Sequence, residues 1–197
     1  MKNIMSLINR RDFLVGISGF TISSMLACSD EKSQGDAKQN QKMEDYDLQL
    51  RPHHILDIIS DHGQNIQYVP HPYGHSLHLI APKLLLNLDL KIKLVLHADD
   101  ICTGCKHLLP DGKCKDVLSQ LIPSPSKQAY NDVLDSRLFD FLSIETNSII
   151  TVRNYLKIVN EKVPGIEKIC THPKEDQEVR LKGLINGLIK LGIRETT

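Results

Sequence analysis

The sequence predicts an α+β fold, mostly helical, with a few short strands and a cysteine-rich metal-binding loop after one of them. Three observations lead there. Apolar side chains recur at three- and four-residue spacing through the second half of the chain, the period of a helix with one buried face. Two short stretches, Leu48–Leu50 and Ile92–Leu96, alternate apolar and polar residues instead, as half-buried strands do. Cys102, Cys105 and Cys114 follow directly on the second of these stretches.

Taken in order, Leu48 and Leu50 mark the first strand, and Pro52 stands where a first helical turn favours proline. His53 to Ser60 continues as a helix with Ile55, Leu56 and Ile59 on one side, closed by Asp61-His62-Gly63. Tyr68 to His78 contains Pro70, Pro72 and Gly74 and reads as an irregular loop whose His71, His75 and His78 are solvated. Leu77 to Leu88 reads as a helix despite Pro82, and Ile92, Leu94 and Leu96 as a strand. Asp116 to Leu121 is a short helical candidate. Val133–Leu142, Ile149–Val159 and Leu181–Leu191 carry helical stripes, with Gly183 and Gly187 either weakening the last helix or permitting close packing. These stripes are core.

Composition bounds the function. Of 197 residues, 41% are hydrophobic and 24% charged, enough for one ordinary globular domain. Lysines and arginines number 24 against 24 acidic residues, and that balance excludes the basic footprint of a nucleic-acid binder. There is no Trp, so the core must be built from Leu, Ile and Val. Five Cys and nine His are the unusual features.

The chain divides into residues 1–27, an export signal; 28–46, a polar tether; and 47–193, a cysteine-rich globular domain. Asn9-Arg10-Arg11-Asp12-Phe13-Leu14 before a short apolar run resembles a twin-arginine signal, and Met25-Leu26-Ala27-Cys28 resembles a lipoprotein cleavage box. Cys28 is then the lipidation residue, and its acyl chains hold the protein to a membrane at the periplasmic or cell-envelope face.

Four cysteines remain for the folded part. Cys102-Thr103-Gly104-Cys105 can aim two thiolates at one point from a tight turn, and Cys114, behind the Pro110-Asp111-Gly112 turn, can close back onto it. Thiolate sites of this kind suit zinc or an iron–sulfur cluster, and both prefer a fourth ligand. Cys170 leads for that place, with His53, His54, Asp57, His107 and His172 as alternatives. Structural disulfides or a redox-active pair among the four cysteines compete with the metal site. His53 and Asp57 lie four apart on one helix face and can pair or flank a metal, or can simply be surface groups at a helix start. Asp99 and Asp100 read as turn-makers ahead of acid–base catalysts.

Leu50-Arg51-Pro52-His53-His54-Ile55-Leu56, with Asp99-Asp100-Ile101-Cys102-x-x-Cys105 and Cys114, resembles an uncharacterised bacterial and archaeal family, domain of unknown function 1284. The resemblance spans about Leu48 to Leu191. It implies a small cysteine-rich protein holding an iron–sulfur cluster. The chain departs from the family pattern at Asp57, where a Cys is usual, and in its C-terminal cysteine group, of which Cys170 and His172 remain. Ile169-Cys170-Thr171 echoes Ile101-Cys102-Thr103, as a decayed internal repeat would.

The expectation is an exported, membrane-tethered metal-binding protein, with an iron–sulfur cluster on Cys102, Cys105, Cys114 and Cys170, exchanging electrons with a partner protein. Zinc is the alternative metal. The rival class is a metal-free lipoprotein binding module stapled by disulfides. A third class is an enzyme using Asp99, Asp100 or His54 beside a metal with an open position, for which the sequence names no substrate.

Overall fold

The computed structural model describes residues 45–170, 172 and 174–196. The export signal, Cys28 and most of the polar tether lie outside the described residues.

A three-stranded sheet anchors the chain. β1 (Leu48–Leu50) pairs parallel with β2 (Lys91–Leu94), which pairs antiparallel with β3 (Ile149–Thr151). Leu48 stands opposite Ile92, and Ile92 opposite Ile150, so the apolar positions of the strands share one buried face. The β1–β2 crossover carries α1 (Pro52–Gly63) and α2 (Leu77–Leu86). α3 (Lys127–Leu142) precedes β3, and α4 (Val152–Glu161) and α5 (Gln177–Lys190) follow it. The architecture is the expected mostly helical α+β fold.

α3, α4 and α5 each start where a side chain satisfies free N–H groups of the first turn. Ser126 Oγ accepts from Ala129 N, Thr151 Oγ1 from Asn154 N, and Asp176 Oδ1 from Glu178 N and Val179 N. α1 has no cap of its own, and its N-terminus is capped from elsewhere, as described below.

Leu50, Ile55, Leu56, Ile92, Leu94, Leu138, Leu156 and Leu184 form the centre of the core, with Tyr155 the largest side chain wholly inside. α1 and α5 pack at backbone contact. A Cβ built on Gly63 would lie 1.9 Å from the Gly183 carbonyl oxygen, and one on Gly187 would lie 2.1 Å from that of Ile59. Gly183 and Gly187 therefore serve close packing.

Two predicted elements are corrected. Asp116–Leu121 is not a helix: Leu118 N donates to Pro125 O and Lys127 N to Asp116 O, folding the segment back on itself ahead of Ser126. Pro123 and Pro125 leave no room for a helix to propagate there. Ile149–Val159 is two elements, because the β-branched Ile149-Ile150-Thr151 joins the sheet and Thr151 then caps α4. Smaller differences concern ends: β2 stops at Leu94, and α3 begins six residues before Val133.

Candidate metal centre

The N-terminus of α1 is built from two carboxylates brought by other elements. Asp99, in the stretch after β2, accepts from Arg51 N at 2.8 Å and from His54 Nδ1 at 2.7 Å through Oδ2. Its other oxygen caps the 3-10 turn Asp100–Cys102, accepting from Ile101 N at 3.2 Å and Cys102 N at 3.3 Å. Asp135 of α3 takes His53 N at 2.9 Å, His53 Nδ1 at 2.8 Å and Arg51 Nε at 2.6 Å. Arg51 reaches Asp132 Oδ1 as well, at 2.7 Å. Asp100 accepts from Gln49 N, tying the same bend to β1.

These partners set the charges. Burial alone would push the Asp99 and Asp135 carboxyls up, but His54 with Arg51 N at the first, and His53 with Arg51 at the second, hold both below the usual carboxylate range. Burial, reinforced by the neighbouring His54, holds His53 below the ordinary imidazole value despite Asp135. For His54 the burial penalty is outweighed by Asp99, and its affinity for a proton rises. The two rings stand 4.3 Å apart. A neutral imidazole whose Nδ1–H rests on a carboxylate keeps its lone pair on Nε2, the arrangement of carboxylate–histidine–metal triads.

The cysteine loop is held at several points. Cys105 N donates to Cys102 O at 3.0 Å, with Gly104 between them at φ +79°. His107 to Lys115 makes a tight hairpin, with Leu109 N on Lys113 O and Lys115 N on His107 O. Cys114 N donates to Gln128 Oε1, and Gln128 Nε2 to Asp132, so α3 connects this cysteine to the Arg51 network. Cys170 comes from far along the chain, two residues past the 3-10 turn Ile166–Lys168, and is buried with Tyr130 Oη 4.0 Å from its sulfur.

All of these converge on one cavity of about 750 Å³. Cys102, Cys105, Cys114, Cys170, His53, His54 and Asp57 all line it, as do His107 and His172. The four cysteines are free thiols, so no disulfide joins any pair of them. Among the described residues, no three His, Cys, Asp or Glu side chains are already gathered as a single-ion site; the donors stand around a chamber. Asp57 faces Arg180, bonded at 2.8 Å. Burial, with Asp99 beside it, pushes the Cys102 thiol up to about 12. A metal binding here must therefore displace a proton. The donor set, soft sulfur with oriented imidazole, fits an iron–sulfur cluster or zinc.

Asp99 does make its turn, as expected, and also orients His54. Of the three histidines read as solvated, His71 is exposed, but Nδ1 of His75 and of His78 is buried, which corrects the reading for those two; His71 and His75 line the cavity. The loop packs one side onto the cysteine bend, and that contact covers the two ring nitrogens. Asp135 and Gln128 were missed. Asp135 had a signal, a carboxylate set among the apolar positions Leu134, Leu138 and Leu142; Gln128 had none.

Fold and cavity define a class: a small α+β protein whose thiols and imidazoles line one partly open chamber. The chain belongs to the family of proteins of unknown function designated DUF1284, whose model matches residues 71–174. That span includes all four cysteines of the chamber but is narrower than the expected Leu48–Leu191, and the Arg51-Pro52-His53-His54 motif precedes it. No curated protein and no solved structure matches the chain.

Proposed function

We propose that the protein binds an iron–sulfur cluster through Cys102, Cys105, Cys114 and Cys170 and serves in electron transfer at the cell envelope. The observation supporting this is the lining of a single chamber by four unbridged cysteines from three separate stretches of chain. Thiols kept in such company without a bridge are typical of soft-metal ligation. The chamber, about 750 Å³, has room for a polynuclear centre as well as for a single ion.

Bound there, a cluster supplies one-electron exchange, tuned by hydrogen bonds and burial. The chain's own residues do the rest. The cysteines hold, Asp99 fixes the bend carrying Cys102, and Gln128 fixes Cys114. Leu77, Ile101, Leu108 and Leu134 supply apolar wall beside the sulfurs. His53 and His54 remain alternative ligands through Nε2, and Asp57 through its carboxylate once Arg180 is displaced.

Export as a folded, loaded protein and anchorage through lipid on Cys28 complete the proposal. Among the described residues no helix is long and apolar enough to cross a membrane. Acyl labelling that persists in the wild type and disappears in Cys28→Ala checks it.

The test is anaerobic purification of the full chain, followed by visible absorbance and analysis for iron and acid-labile sulfide. Brown protein with both elements is the expected result. Colourless protein with stoichiometric zinc moves the site to the zinc reading, and protein free of metal refutes the proposal.

A further inference from the structure

The loop at residues 71–76, outside every ligand set considered above, is bonded to the cysteine bend along its length. Lys106 N donates to Tyr73 O at 2.8 Å and Ser76 N to Ile101 O at 2.8 Å, while Ser76 Oγ donates to Thr103 O. Gly74 and Gly104 meet back to back. Both have positive φ, and a Cβ on either would lie 2.8 Å from the other's carbonyl oxygen. The two loops thus form one body.

That body carries two imidazoles with a nitrogen buried and unbonded: His75 Nδ1 and His107 Nε2. Buried ring nitrogens nearly always have partners, and both residues line the chamber with the cysteines. Their rings are also held in place. His75 stacks on His71 at 4.4 Å and 16°, and His107 rests against Tyr73 at 4.4 Å. His53 and His54, by contrast, have Nδ1 committed to carboxylates, and His172 Nδ1 accepts from Lys174 N. His78 also has an unbonded buried Nδ1 but does not line the chamber, so it provides an internal control.

We propose that His75 and His107 are nitrogen ligands of the metal centre the cysteines surround, making it a mixed sulfur–nitrogen site. The inference rests on the metal-binding reading and goes beyond it by adding His75 and by pairing it with His107, until now only an alternative fourth ligand.

X-ray absorption at the edge of whichever metal the full-length, anaerobically purified protein carries tests this, because imidazole rings leave a distinctive outer-shell scattering pattern. The wild type is expected to show sulfur and nitrogen in its first shell together with that pattern. His75→Ala/His107→Ala is expected to lose most of the nitrogen contribution, and His78→Ala to lose none. An all-sulfur shell in the wild type overturns the inference while leaving the cluster proposal standing. A double variant that keeps the full nitrogen contribution does the same. Protein without any metal refutes both. If the double variant fails to fold, the wild-type shell and the single variants His75→Gln and His107→Gln decide.

Discussion

At the scale of the residue, the chemistry is governed by two buried carboxylates. Asp135 is wholly inside and holds both Arg51 and His53. Removing one partner of a buried charge pair costs about 3–5 kcal/mol because the other is left uncompensated. Asp135→Ala should therefore destabilise the metal-free protein by about that much, measured as a shift of the urea midpoint at constant slope. The pH dependence follows from the same groups. Asp99 and Asp135 titrate lower in the folded chain than in the unfolded one, so their contribution is complete above the ordinary carboxylate value, about 4. It is lost as pH falls from there through their folded values. His54 acts in the opposite sense: its raised value contributes stability below an ordinary imidazole pKa of about 6.5, lost as pH rises through the folded value. Denaturation at a series of pH values should show acid loss diminished in Asp99→Asn and the loss on raising the pH beyond about 6.5 diminished in His54→Gln. The Cys102 thiol, pushed up to about 12 by burial and Asp99, should resist iodoacetamide at pH 8 in metal-free protein. It should react promptly once urea unfolds the chain, read by peptide mass spectrometry, because only the thiolate attacks.

At the scale of the element, two glycine contacts decide how parts meet. Between α1 and α5 there is no space for a methyl group: a Cβ on Gly183 would lie 2.8 Å from the Ser60 carbonyl oxygen, and one on Gly187 2.1 Å from that of Ile59. Gly183→Ala and Gly187→Ala should each cost about 1–3 kcal/mol or more, the usual range for overpacking, although alanine is the better helix former. Chemical denaturation measures this, and an unchanged midpoint contradicts the packing described. The second contact, Gly74 against Gly104, should make Gly104→Ala release the histidine loop from the cysteine bend. Faster loss of bound metal to a chelator is the expected readout, with global stability reduced less than by Gly187→Ala. What the sequence revealed at this scale follows from range. Stripes such as Ile55-Leu56-Ile59 and Leu184-Leu188 declare a buried face within a few residues, and those helices were legible. Ile149-Ile150-Thr151 fits a helical stripe equally well, and only the partner strand β2, far away in sequence, makes it a strand.

At the scale of the whole molecule, the chamber draws on α1, the bend after β2, the hairpin ending at Cys114, α3 and the segment before α5. Every residue singled out in the sequence as a ligand faces it, because cysteine and histidine are conspicuous wherever they occur. Of their supports only Asp135 left a trace, as a carboxylate among the apolar positions of α3; Gln128 and Asp132 are ordinary helix-surface residue types, and only three-dimensional packing joins them to Cys114 and Arg51. Because Cys170 is supplied from so far along the chain, Cys170→Ser should deplete bound metal as Cys102→Ser does, by elemental analysis of anaerobically purified protein. A truncation ending before Ile169 should retain less than either. Asp99 has one last implication. A single acidic side chain accepts from the entrance of α1 on one oxygen and from the cysteine bend on the other, so the two cannot drift independently during divergence. Homologues that keep both segments should retain an acid at that place, and a chimera exchanging only one of them should assemble poorly unless the acid travels with it.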